Sequence, residues 1–458
     1  MLVEFLHMDN QNEKPLYVQL YEGIKQGIES GDLKQGERMT SIRTAAKELN
    51  ISRTTIENAY IKLCIEGYIE SHPQIGYFVL GNSKKNIQDK KNDTINNPST
   101  IIYDFGTDKI ELKTADLDLW RKIIRSVLTD KNKLISYGDA QGEFELRAAL
   151  SNYCFKARGV RASAENIIVG AGTATLLSVL CAILDNKKNV CIEKPGFVQA
   201  EQIFRDFGYT VVSCDTDKNG AKLTQLKKTN ADLLVELPST RSKISITSLV
   251  SRRKALMKWA QEKENRFIIE DDYNGELRYT ARTVPAFQGS NSEKIIYIGS
   301  FSKLLLPSVR IAYMVVPNSL MQKYDKIKNF YNQTSGKTEQ LALAKYIISG
   351  SLEKHLRRLR KIYYGKSRLI CDSLERNISG LVNLVLAETS LSVTVEINSK
   401  FSSKQLCEIA LNNGIVVLPI LGEESNPRVK LGFTAISEET IEEAIKSLEN
   451  TWKKAGAY

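Results

Sequence analysis

The sequence predicts an α/β protein in two parts: a small, mainly helical unit over residues 1–80 and a large unit over residues 101–458 built on a mostly parallel sheet. Three observations lead there. Behind residue 165 the strand-like runs NIIVG, NVCIE, YTVVS, DLLVE, RFIIEDDY, KIIYIGS and RIAYMVV alternate with amphipathic stretches, the rhythm of strands covered by helices on both faces. Ahead of residue 80 the apolar spacing is helical. Between the two, GNSKKNIQDKKNDTINNPST (81–100) has too few apolar side chains to offset the entropy of ordering, and reads as a flexible linker.

At 458 residues and 42% apolar the chain can build two or three substantial cores. Its longest apolar run, TLLSVLCAIL (175–184), is about half of what a bilayer span needs, and the N-terminus lacks the basic start and apolar core of a secretory signal. A cytoplasmic protein without membrane contact is expected. Seven scattered cysteines with no C-x-x-C pair suit small buried hydrophobes in a reducing compartment. His7, His72 and His355 lie far apart and give a histidine metal site little to build on. The net charge of +11 invites a nucleic-acid reading, yet residues 1–80 carry eight Lys/Arg against eleven Asp/Glu, the linker four against two, and the remainder +12. Overall charge therefore does not locate a DNA-binding surface.

In the front part, YVQLYEGIKQGIESG sets Leu20, Ile24 and Ile28 on one helical face and stops at Gly31. SIRTAAKELN and RTTIENAYIKLCIEG then form two helices around the break at Asn50-Ile51-Ser52. Ala45, Leu49, Ile51, Ile56 and Leu63 can face inward, while Ser52, Arg53, Thr54 and Thr55 cluster where the second helix starts. A helix-turn-helix presents that end to the major groove, where a guanidinium and hydroxyls reach phosphates and base edges. GYIESHPQIGYFVL reads as two short strands, a wing. Periodicity alone fits a plain small helical bundle equally well.

In the back part, ligands of a parallel sheet gather at the carboxyl ends of strands. Lys303 follows one such end, in YIGSFSKLLLPSVRIAYM. Asp271 and Tyr273 close another, Phe197 a third, and Gly172, Thr173 and Ala174 open a helix after a fourth. Singly each has a structural explanation: turn, cap or core aromatic. Together they match the needs of pyridoxal 5′-phosphate. Lys303 offers the amine for the aldehyde, Asp271 a carboxylate for the ring nitrogen, Tyr273 a phenol for the ring hydroxyl, and Phe197 a stacking face. The helix N-terminus at Gly172, Thr173 and Ala174, with Ser300 and Arg310, offers phosphate donors.

The run from Pro15 to Ser71 resembles the winged helix of GntR-type bacterial regulators. That resemblance implies DNA contact at Arg43, Ser52, Arg53, Thr54 and the wing near Gly76. Thr40 stands where the family usually has proline, and HPQIG lacks a usual second glycine. The back part resembles fold-type-I aminotransferases, and the whole chain the MocR subfamily, which fuses the two; YGDAQGEFELRAALSNYCFKARGVRASAENIIVGAG and SLEKHLRRLRKIYYGKSRLI carry the match. The implied protein is a transcriptional regulator that binds double-stranded DNA and pyridoxal phosphate as a domain-swapped homodimer, with Tyr137 reaching the phosphate site of a partner. An effector carboxylate would meet Arg428 or Lys430, between which the sequence does not choose. LPSTRSKIS (237–245) departs from the TPSHQ-x-PTG of relatives, adding Arg241 and Lys243, and Gln199 replaces the arginine of GABA-responsive relatives. These departures favour a regulator sensing pyridoxal phosphate or an amino acid, with control of vitamin B6 genes one implied role. The alternatives are an active aminotransferase tethered to DNA and a DNA-binding protein with an inert back domain.

Overall fold

The computed structural model describes residues 14–72, 75–80, 101–106, 109–184, 189–194, 196–217, 219–238, 246–277, 284–386, 391–420 and 426–458. The predicted linker, His7, Arg241, Lys243 and the Pro73-Gln74 wing tip lie outside the described residues. The chain divides into two compact units, residues 1–97 and 98–458.

In the first unit, α1 (Leu16–Ser30) buries Leu20, Ile24 and Ile28 and ends at Gly31, whose φ of 87° suits a residue without a Cβ. α2 (Ile42–Glu48) and α3 (Arg53–Ile65) begin on Ser41 and Ser52. Their hydroxyls accept from Thr44 N at 3.2 Å and Thr55 N at 3.1 Å, satisfying first-turn donors. Asn50, at φ 52°, makes the break between the two helices. Ala45, Ile56, Ala59, Tyr60 and Leu63 close the core with α1. Tyr60 donates its hydroxyl to Thr40 O at 2.9 Å, an anchor at the place where the resemblance leads one to expect proline. β1 (Ile69–His72) and β2 (Gly76–Val79) pair antiparallel as a wing. Residues 36–39 add along β2 through the Gly36 N–Val79 O, Val79 N–Glu37 O and Met39 N–Tyr77 O bonds. A plain helical bundle has no such sheet.

In the second unit, past a short strand β3 (Tyr103–Asp104), one sheet collects β4 (Ile167–Gly170), β5 (Asn189–Lys194), β6 (Thr210–Asp217), β7 (Gly220–Ala221), β8 (Leu233–Glu236), β9 (Phe267–Asp271), β10 (Ile295–Ser300) and β11 (Ala312–Val315). Their order is β4-β11-β10-β9-β8-β5-β6-β7. β10, β9, β8, β5 and β6 run parallel, and β11 lies antiparallel between β10 and β4. RIAYMVV is thus the strand-like run that turns back: the short stretch from Ser300 to Ala312 cannot hold the crossover a parallel pair needs.

The residues of these strands alternate between two apolar layers. The helices beside this sheet include α4 (Phe144–Arg158), α5 (Thr173–Ile183), α6 (Val198–Asp206), α7 (Ile246–Gln261), α8 (Asn318–Ile327), α9 (Lys337–Ile348) and α10 (Ser351–Asn377). Ile168, Val190, Val235, Ile269, Ile298 and Met314 pack with α5 and its neighbours on one face. Val169, Tyr297, Tyr313 and Val315 pack with α4, α9 and α10 on the other face, where Leu234 and Ile268 meet α7. A second, antiparallel sheet takes β12 (Leu381–Leu386), β13 (Ser392–Ile397), β15 (Leu418–Ile420) and β16 (Arg428–Gly432) in the order β12-β13-β16-β15, while β14 (Ile415–Val416) pairs with β3. Among the described residues no helix is long and apolar enough to cross a membrane.

His355, on α10, is buried with its ring edge-on to Tyr346 at 6.4 Å, and its Nδ1 accepts from Arg358 Nη2 at 3.2 Å. Burial, and then the Arg358 cation, push its pKa down from 6.5 to about 4. The folded form therefore binds fewer protons than the unfolded chain between those values, so stability present above pH 6.5 is lost as pH falls toward 4. His355 is expected to account for roughly 2 kcal/mol of the stability lost between pH 7 and pH 5. Denaturant melts of wild type and His355→Gln at the two pH values check this: the variant should show the smaller difference.

Candidate cofactor site and DNA-reading surface

Strand register brings the predicted cofactor residues to one end of the sheet. Ser300 pairs with Ala312, Ala312 with Gly170, and Asp271 with Ile298, so the ends of β4, β9 and β10 meet the start of β11. Asp271 continues the Phe267 and Ile269 side of β9, the side covered by α5. Its carboxyl group is buried, and Oδ1 has no hydrogen-bond partner. Burial, reinforced by the neighbouring Asp272 charge, raises its pKa from 3.8 to about 7. Lys303 lies half-buried in the turn that follows Ser300, and Tyr273 half-buried in the turn after Asp271. Phe197 precedes α6 and packs against the apolar layer of the same face.

The turn from β4 into α5 brings a glycine and an arginine together. Gly172 is the N-cap of α5 with φ 107°, and no side-chain hydrogen bond caps the helix. That φ favours glycine, and a Cβ at Gly172 would stand 2.7 Å from Arg310 Nη2, so a side chain there would push the guanidinium aside. Arg310 itself sits at φ 50°, a left-handed conformation rarely taken by a long side chain. From it, Nη2 donates to Ala171 O and Nη1 to Ser302 Oγ, both at 3.4 Å. Ser335 Oγ donates to Arg310 O at 3.3 Å, and Thr334 Oγ1 accepts from Ala171 N at 3.0 Å. Thr173 and Ala174 open α5 beside the Arg310 guanidinium, and Ser300 Oγ accepts from Ser302 N at 3.3 Å in the turn after β10.

Sequence reasoning missed the supports of this site. Asp272, next to the predicted ring partner, accepts from Arg158 Nε at 2.7 Å and from the Tyr297 hydroxyl at 3.0 Å, all three buried. Thr334 and Ser335 lie beyond any motif read from the chain. The only available signal was the doublet in EDDY, where one carboxylate sufficed for the cofactor argument.

Arg428 and Lys430 share the less buried side of β16, opposite Val429 and Leu431. Arg428 is engaged by Glu396, with Nη2 at 3.0 Å and Nε at 3.2 Å from Oε2. Lys430 shows no ion-pair partner among the described residues, and burial lowers its pKa. Tyr137 is fully exposed.

In the first unit, Arg43 is exposed on α2, while Arg53 and Thr54 are exposed in the first turn of α3. Ser52 is occupied as the α3 cap, so its hydroxyl orders the helix end that carries Arg53. Gly76 has φ 128°, and the Arg38 guanidinium lies over it, with Nε 3.4 Å from where a Cβ would stand. Arg38 Nη2 also donates to Ile75 O. Arg38, which sequence reading passed over, therefore belongs to the wing.

The aminotransferase class I and II family matches residues 103–448, and the gntR family of bacterial regulatory proteins matches residues 16–79. An uncharacterized HTH-type transcriptional regulator of Bacillus subtilis, YdeL, is 34% identical over 96% of this chain and 97% of its own. The chain belongs to the MocR-type regulators. The probable rhizopine catabolism regulatory protein MocR of Rhizobium meliloti is 26% identical, covering 98% of this chain and 96% of its own. The pyridoxine biosynthesis transcriptional regulator PdxR of Corynebacterium glutamicum is 27% identical over 78% of each chain. Kynurenine aminotransferase of Pyrococcus horikoshii superposes with a TM-score of 0.68 at 24% identity, over 78% of this chain and 92% of its own, and shares the fold.

The cofactor of the aminotransferase class I and II family is pyridoxal 5′-phosphate, and the residues of this MocR-type chain fit it. A buried carboxylate oxygen without a donor among the described residues suits a protonated ring nitrogen, and a positive-φ glycine close to an arginine suits a phosphate. Gly172→Ala is expected to weaken pyridoxal phosphate binding by about ten-fold or more through displacement of Arg310, measured by titrating cofactor absorbance, with an unchanged melting profile for the first unit. Asp271→Asn should weaken binding too, yet stabilise the cofactor-free protein at pH 8. The raised Asp271 value means that its favourable contribution is complete below about pH 4 and lost as pH rises through about 7. Removing the charge raises Tm at pH 8 by more than it does at pH 5, which thermal melts at both values would show.

Proposed function

We propose that this chain is a transcriptional regulator that binds operator DNA through its winged helix and senses pyridoxal phosphate, or an amino acid that reacts with it, through its aminotransferase-like unit. The observation that carries this reading is the coexistence in one chain of an exposed Arg53 and Thr54 at a capped helix start and of a sheet end that carries the buried Asp271 with Gly172 beside Arg310. Arg43, Ser52, Arg53, Thr54 and the backbone at Gly76 face the DNA, and Arg38 joins them at the wing, where guanidinium groups suit a narrow minor groove. The three arginines give a net-acidic front segment a local cationic surface.

When bound, the cofactor supplies an aldehyde that reacts with amines and a ring that withdraws electrons. Lys303 holds the amine for that aldehyde. Asp271 holds a proton at the ring nitrogen, Tyr273 donates to the ring hydroxyl oxygen, and Phe197 covers the ring and excludes water. Gly172, Thr173, Ala174, Ser300 and Arg310 bind the phosphate. An effector carboxylate meets Lys430, because Glu396 already engages Arg428. A point-charge ammonium grips a carboxylate less rigidly than a forked guanidinium, which suits a sensor better than a turnover site. The chain acts as a domain-swapped homodimer in the cytoplasm, with the exposed Tyr137 reaching the phosphate site of the partner subunit. Ligand in the pocket changes DNA affinity to the extent that it prefers one arrangement of the dimer. The name of the Corynebacterium relative favours vitamin B6 synthesis genes as the target.

The test is binding of the purified protein to DNA fragments that it selects from random sequence, at fixed salt, with and without pyridoxal phosphate and a panel of amino acids. An additive should change affinity several-fold in wild type and not in Lys303→Ala. Equal binding under every addition would remove the sensing role, and steady turnover of an amino acid with 2-oxoglutarate would place the chain among enzymes. Arg38→Ala should weaken binding to all fragments and lower the salt slope by about one.

A further inference from the structure

Two consecutive acids leave β9 toward opposite faces of the sheet. Asp271 turns to the α5 side and the cofactor site, whereas Asp272 turns to the α4 side, where Arg158 Nε and the Tyr297 hydroxyl meet its Oδ2 at 2.7 and 3.0 Å. The Arg158 and Asp272 side chains are 6% and 0% exposed. Arg158 Nη1 donates to Val284 O at 2.9 Å, so the guanidinium is fixed at both ends. Gly275 permits the arrangement: a Cβ there would stand 2.2 Å from Asp272 Oδ1. Glu276 is buried beside the pair, with its Oε1 3.4 Å from the Tyr153 hydroxyl and its backbone carbonyl accepting from Arg360 Nε at 2.7 Å. The chain thus places a buried ion pair directly behind the carboxyl group meant for the ring nitrogen.

An isolated buried pair of this kind is a poor source of stability, since apolar side chains of similar volume do as well or better. Its orientation matters more. The negative end lies one residue from Asp271 and the positive end lies farther away. Such a dipole favours a positive charge on the cofactor side of Asp271 and disfavours a bare negative one. We propose, resting on the cofactor reading above, that Arg158 and Asp272 are positioning residues which orient a buried dipole through the sheet and so tune the hold of Asp271 on a protonated ring nitrogen. The raised Asp271 pKa, due first to burial and second to Asp272, agrees in direction.

The proposal gives an ordering that packing alone does not. In Asp272→Asn the negative end of the dipole is gone while the Arg158 cation stays buried behind Asp271, so pyridoxal phosphate affinity should fall by roughly ten-fold. In the double variant Arg158→Met/Asp272→Asn both charges are gone, and affinity should recover to a value between the single variant and wild type. A purely structural role predicts that the double variant binds no better than the single.

The second probe is a deaza analogue of pyridoxal phosphate in which carbon replaces the ring nitrogen. It should bind wild type and both variants alike, because the dipole acts on the nitrogen. Thermal melting of each variant controls for folding. If Asp272→Asn does not fold, the double variant is compared with wild type, and its preference for pyridoxal phosphate over the deaza analogue should be smaller. Equal weakening of both probes in the variants, or no change in either, overturns the role of the pair while leaving the cofactor site standing. Wild type that takes up neither probe overturns the cofactor reading and the pair with it.

Discussion

Asp271 ends a fully buried strand with one carboxylate oxygen that no group among the described residues satisfies. An orphaned buried acceptor costs roughly 1–3 kcal/mol, more if charged, so a fold that keeps one must hold it rigidly with other interactions. The rest of the large unit can be seen as that support. Parallel β8, β9 and β10 fix the backbone on either side, and Asp272 N donates to Ile298 O at 2.9 Å just beyond the strand. The second acid is tied down by a buried guanidinium and a phenol. What the isolated chain leaves unsatisfied is a demand for a cationic donor of fixed position, the property that a protonated pyridine brings.

The reversed strand β11 gives the site its other half. By running back beside β10 it sets Ala312 opposite Ser300 and Gly170, and it starts from Arg310, whose left-handed backbone turns the guanidinium across Gly172. β9 and β4 are thereby joined through two intervening strands, which end beside the site on the small residues Gly299, Ser300 and Ala312. Small residues leave volume at the end of the sheet; larger ones would close it.

The same economy of local geometry governs the first unit. Its residues 1–80 carry more acids than bases, so DNA affinity depends on where a few cations stand. Ser52 fixes the start of α3 under Arg53, and the edge segment 36–39 lays Arg38 over the glycine of the wing. Both devices are hydrogen bonds to backbone, which fix direction more than they add stability.

Much of this was legible in the chain itself. Helical spacing gave α1 to α3, and a small-residue turn before an apolar helix gave Gly172 to Ala174. Strand endings gave Asp271, Phe197 and Lys303, because periodicity and turn chemistry are local properties written in neighbouring residues. The partners that arrive from a distance were not legible. Arg158 meets Asp272 across 114 positions, and Thr334 meets Ala171 across 163. Arg38 meets Ile75 across 37. Nor was the engagement of Arg428 by Glu396, a residue of a neighbouring strand, legible. The sequence by itself determined which elements form and which chemistry their ends carry. Only the tertiary structure decided which charges are neutralised and which stay available, since that depends on what packing brings within hydrogen-bond reach.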